Sequence, residues 1–237
     1  MRRSQMPSGN GSERTIAKHP TLRFWLGSIH FAADAVLVAF VYFIVRDFLK
    51  DGSWKITLYL FNKAVANAAF LLVGLSLLLA SLGRFRRISP DRIVYKKYFG
   101  VAGFGLATLH ALTSHLALRA KFPWPAWMRQ NWETALLGFA AITLFAAMAA
   151  VSNRRAVDLL GGKAWRRFLS AAGYLGVLIV IVHASWLKLP SWLNWVKTFD
   201  PWLPSLSLPM VLFSLAVLAA RLAVFAARPK KQGRSPF

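Results

Sequence analysis

The chain has no cysteine among its 237 residues. That excludes disulfides, thiolate metal sites, iron–sulfur clusters and cysteine nucleophiles, and it removes redox state as a guide to compartment. Acidic residues are scarce: 8 Asp and Glu stand against 30 Lys and Arg, a formal net charge of +22. There is no internal repeat of a transporter kind and no room for a soluble domain of ordinary size. A cleavable signal is not expected, because the first apolar run starts only near Leu22 and is too long for the apolar core of one. What is present is apolar. Hydrophobic residues make up 57% of the chain, mean hydropathy is +0.46, and this material falls in long uncharged runs. That pattern is an integral membrane protein. The basic residues cluster at the ends of the runs, where they anchor helices, and form no separate stripe for nucleic acid.

Six runs have about the 17–25 residues needed to cross a bilayer. They span roughly Leu22 to Val45, Ala64 to Leu82, Phe99 to Ala120, Thr134 to Val151, Phe168 to Leu187 and Leu203 to Ala227. The expected fold class is all-α: a polytopic six-transmembrane-helix bundle over residues 21–228. A disordered polar tail (1–20) precedes it, and a basic tail (229–237) follows. Lys and Arg set the orientation. The N-terminal segment carries five, the stretch GRFRRISPDRIVYKK six, the loop after the fourth run five, and the C-terminus Arg228, Lys230, Lys231 and Arg234. The other three loops carry four, two and two. Both termini are therefore expected in the cytoplasm, in a bacterial inner (plasma) membrane. Trp54, Trp124, Trp127, Trp132, Trp186, Trp192, Trp195 and Trp202 fall on the opposite side, as an interfacial belt would. In LPSWLNWVKTFDPWL the prolines are expected to break any long helix and leave a short segment lying on the membrane.

A histidine within a membrane-length run is costly and marks a functional site by default. Of five histidines, His19 sits in the polar tail, while His110 and His183 lie deep in the third and fifth runs. They follow Lys97 by 13 residues and Arg167 by 16, which puts them ~20 and ~24 Å from the inner boundary. Two histidines at matching depth on parallel helices can ligate one metal from opposite sides. Bare zinc or copper would want further ligands, and no thiolate exists. Haem needs only axial ligands and an apolar slot. Seven residues before each histidine stands a glycine, Gly103 and Gly176, with Ala107 and Ala172 nearby, and these small residues leave space for a flat macrocycle. Close helix packing is the other reason for small residues at such positions.

Further polar residues lie in or beside the runs. His115 is ~7.5 Å beyond His110 on the same run and turned about 140° from it, which suits an interfacial role or a propionate contact better than ligation. His30 and Asp34 share one face of the first run, as a proton relay, a quinone site or a local ion pair facing the bundle. Lys63 and Arg221 lie near helix ends, where such residues most often snorkel. Each could instead neutralise a haem propionate or a flavin phosphate.

The pieces ATLH in the third run, SNxxAxxxLGGxxWRR before the fifth, and Tyr174 followed by His183 and Trp186 resemble the ferric-reductase-like transmembrane domain family. The resemblance covers about residues 60–187. With no fused flavin or NADPH domain, the chain is most similar to the short, MsrQ-like haem-binding members. The resemblance implies that His110 and His183 are the outer-side ligands of a haem b, and that the protein passes electrons to an outer-side acceptor such as a soluble periplasmic reductase. It implies a donor from the quinone pool or a cytosolic flavin reductase, with quinone or FMN as a further cofactor. The family's other histidine on the fifth helix has no counterpart: Ser170 stands 13 residues before His183, with Leu169 beside it. One haem is therefore expected, with no catalytic side chain.

Two alternatives belong to other classes. One is a haem-free structural or assembly subunit, favoured by Ser170. The other is a small-solute or proton carrier built on His30, Asp34 and Lys63.

Overall fold

The computed structural model describes residues 20–54, 56–84, 89, 92 and 94–226. The expectations about the polar N-terminal tail with His19, most of the GRFRRISPDR stretch, and the basic C-terminal tail lie outside the described residues. Among the described residues the chain forms helices and no strands. The α-helices are α1 (Pro20–Asp51), α2 (Leu58–Arg84), α3 (Tyr95–Leu112), α4 (Trp124–Ala150), α5 (Arg154–Leu160), α6 (Gly162–Thr198) and α7 (Ser207–Ala226). In lipid a backbone N–H or C=O finds no partner outside its own helix, so uncharged runs of this length become helices. Five of them, α1, α2, α4, α6 and α7, are long and apolar enough to cross a membrane. The protein is a multi-pass membrane protein. The third run folds instead as the shorter α3 and a π turn, Thr113–Ala117.

Helix α2 is the central element. Over half of its apolar stretch is buried, against under a third in each of the other four spans. It packs against α1, α3, α6 and α7. Toward α1 and α3 it presents Val65, Ala68 and Leu72 to Ala35, Ala102 and Leu106. Toward α6 and α7 it presents Phe70, Val73 and Leu77 to Val177, Ile181 and Val217. The first contact is made largely of small side chains, which lets α2 and α3 approach closely. That is the packing membrane helices rely on when lipid is as apolar as they are.

The SNxxAxxxLGGxxW stretch is a hinge in which Asn153, Gly161 and Trp165 each have a mechanical reason. Asn153 caps α5, its Oδ1 accepting from the Ala156 amide at 2.9 Å. Gly161 has φ +73°, a backbone conformation that disfavours any side chain, and it turns the chain into α6. Trp165 Nε1 then donates to the Val151 carbonyl at 2.8 Å, tying the first turn of α6 to the end of α4.

The loop LPSWLNWVKTFDPWL differs from expectation. Helix α6 continues through Pro190 to Thr198, 37 residues in all, or ~55 Å. A proline removes one donor, and the carbonyl that Pro190 cannot serve is that of Trp186, an exposed residue at the very end of the apolar run where solvent can take its place. The extension is held by tryptophans. Trp192 Nε1 donates to Ser207 Oγ at 3.2 Å and Trp195 Nε1 to the Pro201 carbonyl at 2.8 Å. Trp192 is thus buried core and not part of an interfacial belt, whereas Trp54, Trp132, Trp186 and Trp202 are exposed. Nearby, Tyr42 Oη and Arg46 Nε on α1 both donate to the Pro204 carbonyl, fixing α1 to the entry of α7.

Candidate functional site

His110 lies two residues from the end of α3, and its environment is built from three elements. Asn62 on α2, nearly fully buried, donates through Nδ2 to Ser114 Oγ of the π turn at 2.8 Å. That contact turns the amide oxygen toward the imidazole, and Asn62 Oδ1 lies 3.1 Å from His110 Nδ1. An amide oxygen only accepts, so Nδ1 carries the proton and Nε2 keeps its lone pair.

His183 on α6 is held in the same way from α4. Its Nδ1 is 2.9 Å from the Thr134 carbonyl oxygen, so here too Nδ1 is the donor and Nε2 the free base. Gly138 sits one turn along α4 from Thr134. A Cβ there would lie 3.4 Å from His183 Cε1 and 3.7 Å from Nδ1, in ordinary van der Waals contact, so the ring rests against α4 at this residue.

The helices carrying the two imidazoles scarcely touch: α3 packs on α2, α1 and α4, and α6 on α4, α7, α5 and α2. Both rings are half-buried. A neutral imidazole whose Nδ1–H is tied to a carbonyl oxygen, with Nε2 open, is the usual state of a metal-ligating histidine; the tie fixes tautomer and ring orientation. Among the described residues no three His, Asp or Glu side chains converge. A pair of imidazoles suits the axial positions of a haem better than an ion that needs three or four protein ligands.

The small residues do not supply the slot expected of them. A Cβ on Gly103 would be 2.7 Å from Val73 Cγ2 and 3.1 Å from the Ala69 oxygen and Val73 nitrogen. The space beside Gly103 is therefore filled by α2. A Cβ on Gly176 would be 2.7 Å from Phe145 Cε1, so that space is filled by an α4 ring, and Ala172 is buried in the same packing. Both glycines are close-packing positions. The glycine that faces an imidazole is Gly138.

The other residues singled out in the sequence are scattered. His115 lies in the π turn, exposed, with its ring edge-on to Trp124 at 4.7 Å. Lys63 Nζ sits over the rings of Phe43 and Tyr59 at 4.7 and 5.2 Å, which anchors it between α1 and α2. Arg221 does not snorkel. It is 5% exposed, its Nη2 donates to Ser170 Oγ at 2.8 Å, and its guanidinium covers the Tyr174 and Phe225 rings. Ser170 is thus engaged with a buried cation. Tyr174 shares a hydrogen bond of 2.9 Å with Ser81, further filling that end of the bundle. His30 and Asp34 do pair, Nε2 to Oδ2 at 3.3 Å, but the pair faces away from the bundle. A shallow open cavity of about 540 Å³ lies at the α5–α6 hinge, lined by Gly161, Lys163 and Arg167 among others, and no histidine borders it.

Asn62, Ser114, Thr134 and Gly138 were not singled out from the sequence. Asn62 carried a weak signal, as an amide at the threshold of an apolar run. Thr134 acts through its backbone, which no residue identity reveals.

No protein-family model matches this chain, and no curated protein matches it.

Proposed function

We propose that this chain is a b-type cytochrome subunit of a bacterial inner membrane, with His110 Nε2 and His183 Nε2 as the axial ligands of one haem b. One observation carries the reading: two histidines on separate helices each have Nδ1 fixed by a carbonyl oxygen of a neighbouring helix, with Nε2 left as the free base. A haem held there would supply one-electron redox chemistry, and two imidazole ligands would favour electron transfer as its role. The chain's own contribution is ligation and orientation. Asn62 and Thr134 hold the tautomers, Ser114 holds Asn62, and the ring of His183 rests against Gly138. In this reading α3 with its π turn is a sixth crossing, and both termini are cytoplasmic by the distribution of Lys and Arg. Electrons come from quinol or a flavin reductase and leave to an outer-side acceptor, as the resemblance to the short ferric-reductase-like proteins implies. The enzymatic step belongs to that partner.

A competing reading, a haem-free structural subunit, draws on the filled faces of Gly103 and Gly176 and on the Ser170–Arg221 contact. An absorption spectrum of the detergent-purified protein, expressed with ample haem and reduced with dithionite, separates the two. Sharp α and Soret bands at about one haem per chain by pyridine haemochrome are expected for two axial imidazoles. A colourless protein would sink the cytochrome.

Asn62 offers a finer test. Asn62→Leu removes the acceptor of His110 Nδ1–H. Losing an outer-shell partner of a metal ligand typically weakens binding about 10–100-fold. Haem transfer from the variant to apomyoglobin should be faster by a comparable factor, with the reduced spectrum initially intact. Asn62→Asp, which keeps an acceptor, should retain haem better than the leucine variant. Equal retention in wild type and both variants would show that Asn62 does not support the ligand.

A further inference from the structure

Helix α1 is the most peripheral of the long helices, with the smallest buried share of any span. Its exposed residues recur at Ile29, His30, Ala33, Asp34, Leu37 and Val38, a continuous stripe at helical spacing. The opposite face carries the packing: Phe31 meets Tyr95, Tyr98 and Phe99, and Ala35 and Ala39 are buried.

The stripe contains an acid and a base. His30 and Asp34 lie 7 and 11 residues beyond Arg23, ~10 and ~16 Å into the span. Their side chains are 75% and 58% exposed. An outward-facing ionisable pair at that depth would face hydrocarbon, where such groups are rare because of their cost. Among the described residues the one ion-pair contact of these two groups is with each other, which leaves His30 Nδ1 and one Asp34 oxygen to be satisfied from outside.

What covers the stripe is constrained by shape and symmetry. A quinone ring or a lipid headgroup needs walls, and side chains this exposed on a convex helix have none. A second helix fits a convex face. A heterologous helix would have to bring its own acid and base at matching depth, whereas a second copy of this chain brings them by identity. About a twofold axis along the membrane normal, residue i of one copy meets residue j of the other and the reverse. His30 of each α1 can then reach Asp34 of its partner one turn away. Ala33 lies between them on the same stripe, and small residues there let two backbones approach.

We infer that the outer face of α1 around Ile29–Val38 is a homodimer interface closed by reciprocal His30–Asp34 contacts. The inference stands apart from the haem reading.

The absence of cysteine makes the test clean, because an introduced thiol is the sole thiol of the chain. The full-length protein in membranes would carry Ala33→Cys, or Leu215→Cys on the exposed face of α7 as a collision control, and be oxidised with copper phenanthroline. Disulfide-linked dimer should form at least tenfold faster from Ala33→Cys than from Leu215→Cys. Adding His30→Leu and Asp34→Leu to Ala33→Cys should slow it several-fold, without loss of monodisperse protein, since both side chains are exposed. Equal rates at the two positions, or capture of a chain of different mass, would overturn the second copy as the occupant. Fast cross-linking unaffected by the leucine pair would overturn the reciprocal contacts.

Discussion

His110→Ala and His183→Ala should each abolish the reduced α and Soret bands, while His115→Ala should leave them unchanged. A haem held by these two imidazoles would lose half of its protein ligation with either substitution, and the described residues offer no third histidine placed to stand in. His115, in the π turn, meets Trp124 edge-on, and His30 lies on the outward face of α1. The ligands also differ in what each leaves behind. Without His110, the Asn62 oxygen becomes a buried acceptor with no donor, costing about 1–3 kcal/mol. Without His183, the Thr134 carbonyl loses a side-chain donor beside the cavity over Gly138. Loss of haem must therefore be separated from loss of fold. Size-exclusion profiles should show a monodisperse protein for both variants, and added imidazole should restore part of the Soret intensity by entering the space the ring vacated. A His110→Ala protein that keeps a full complement of low-spin haem would remove His110 from the ligand set. Bands insensitive to both substitutions would refute the site.

The legible part of this architecture was the part written in runs. Uncharged stretches marked helices because lipid leaves the backbone no other partner. Matching the depth of His110 and His183 required only a rise per residue. The illegible part was written in contacts between distant residues. Asn62 is 48 positions from His110 and Thr134 is 49 from His183. Neither has a local reason to be singled out until α2 lies beside α3 and α4 beside α6. Pro190 misled because a proline's cost depends on where the orphaned carbonyl lies, and at the end of the apolar run solvent lowers that cost. The hinge motif divides in the same way. Asn153 as a helix cap and Gly161 as a turn follow from residue type, but the tie from Trp165 to Val151 needs the folded chain. Gly103 and Gly176 show the sharper ambiguity: an absent side chain leaves space, and sequence does not say whether a cofactor or a neighbouring helix fills it.

Gly103 settles which, and carries the second large effect. Gly103→Leu should destabilise the bundle severely, whereas Gly105→Leu, two residues along the same helix, should not. At Gly103 a Cβ would already stand 2.7 Å from Val73 Cγ2. That methyl could rotate aside, but the Ala69 oxygen and Val73 nitrogen at 3.1 Å are backbone, and a helix cannot yield there without moving as a unit. A leucine therefore has to part α2 from α3, opening the layer of Val65, Ala68, Leu72, Ala102 and Leu106. Overpacking commonly costs about 1–3 kcal/mol, occasionally more, and backbone contact places this position at the upper end. At Gly105 nothing lies within 4 Å of the added Cβ, so the change there gains helix propensity, up to about 1 kcal/mol. The two substitutions should shift the thermal midpoint in detergent in opposite directions. The site would feel the first as well, because His110 rides two turns beyond Gly103 and meets Asn62 only while α3 stays seated on α2. Gly103→Leu should therefore lose haem together with stability, and Gly105→Leu should keep both. Equal midpoints for the two variants would mean that α3 does not sit against α2 at Gly103, and the geometry holding His110 would fall with that contact.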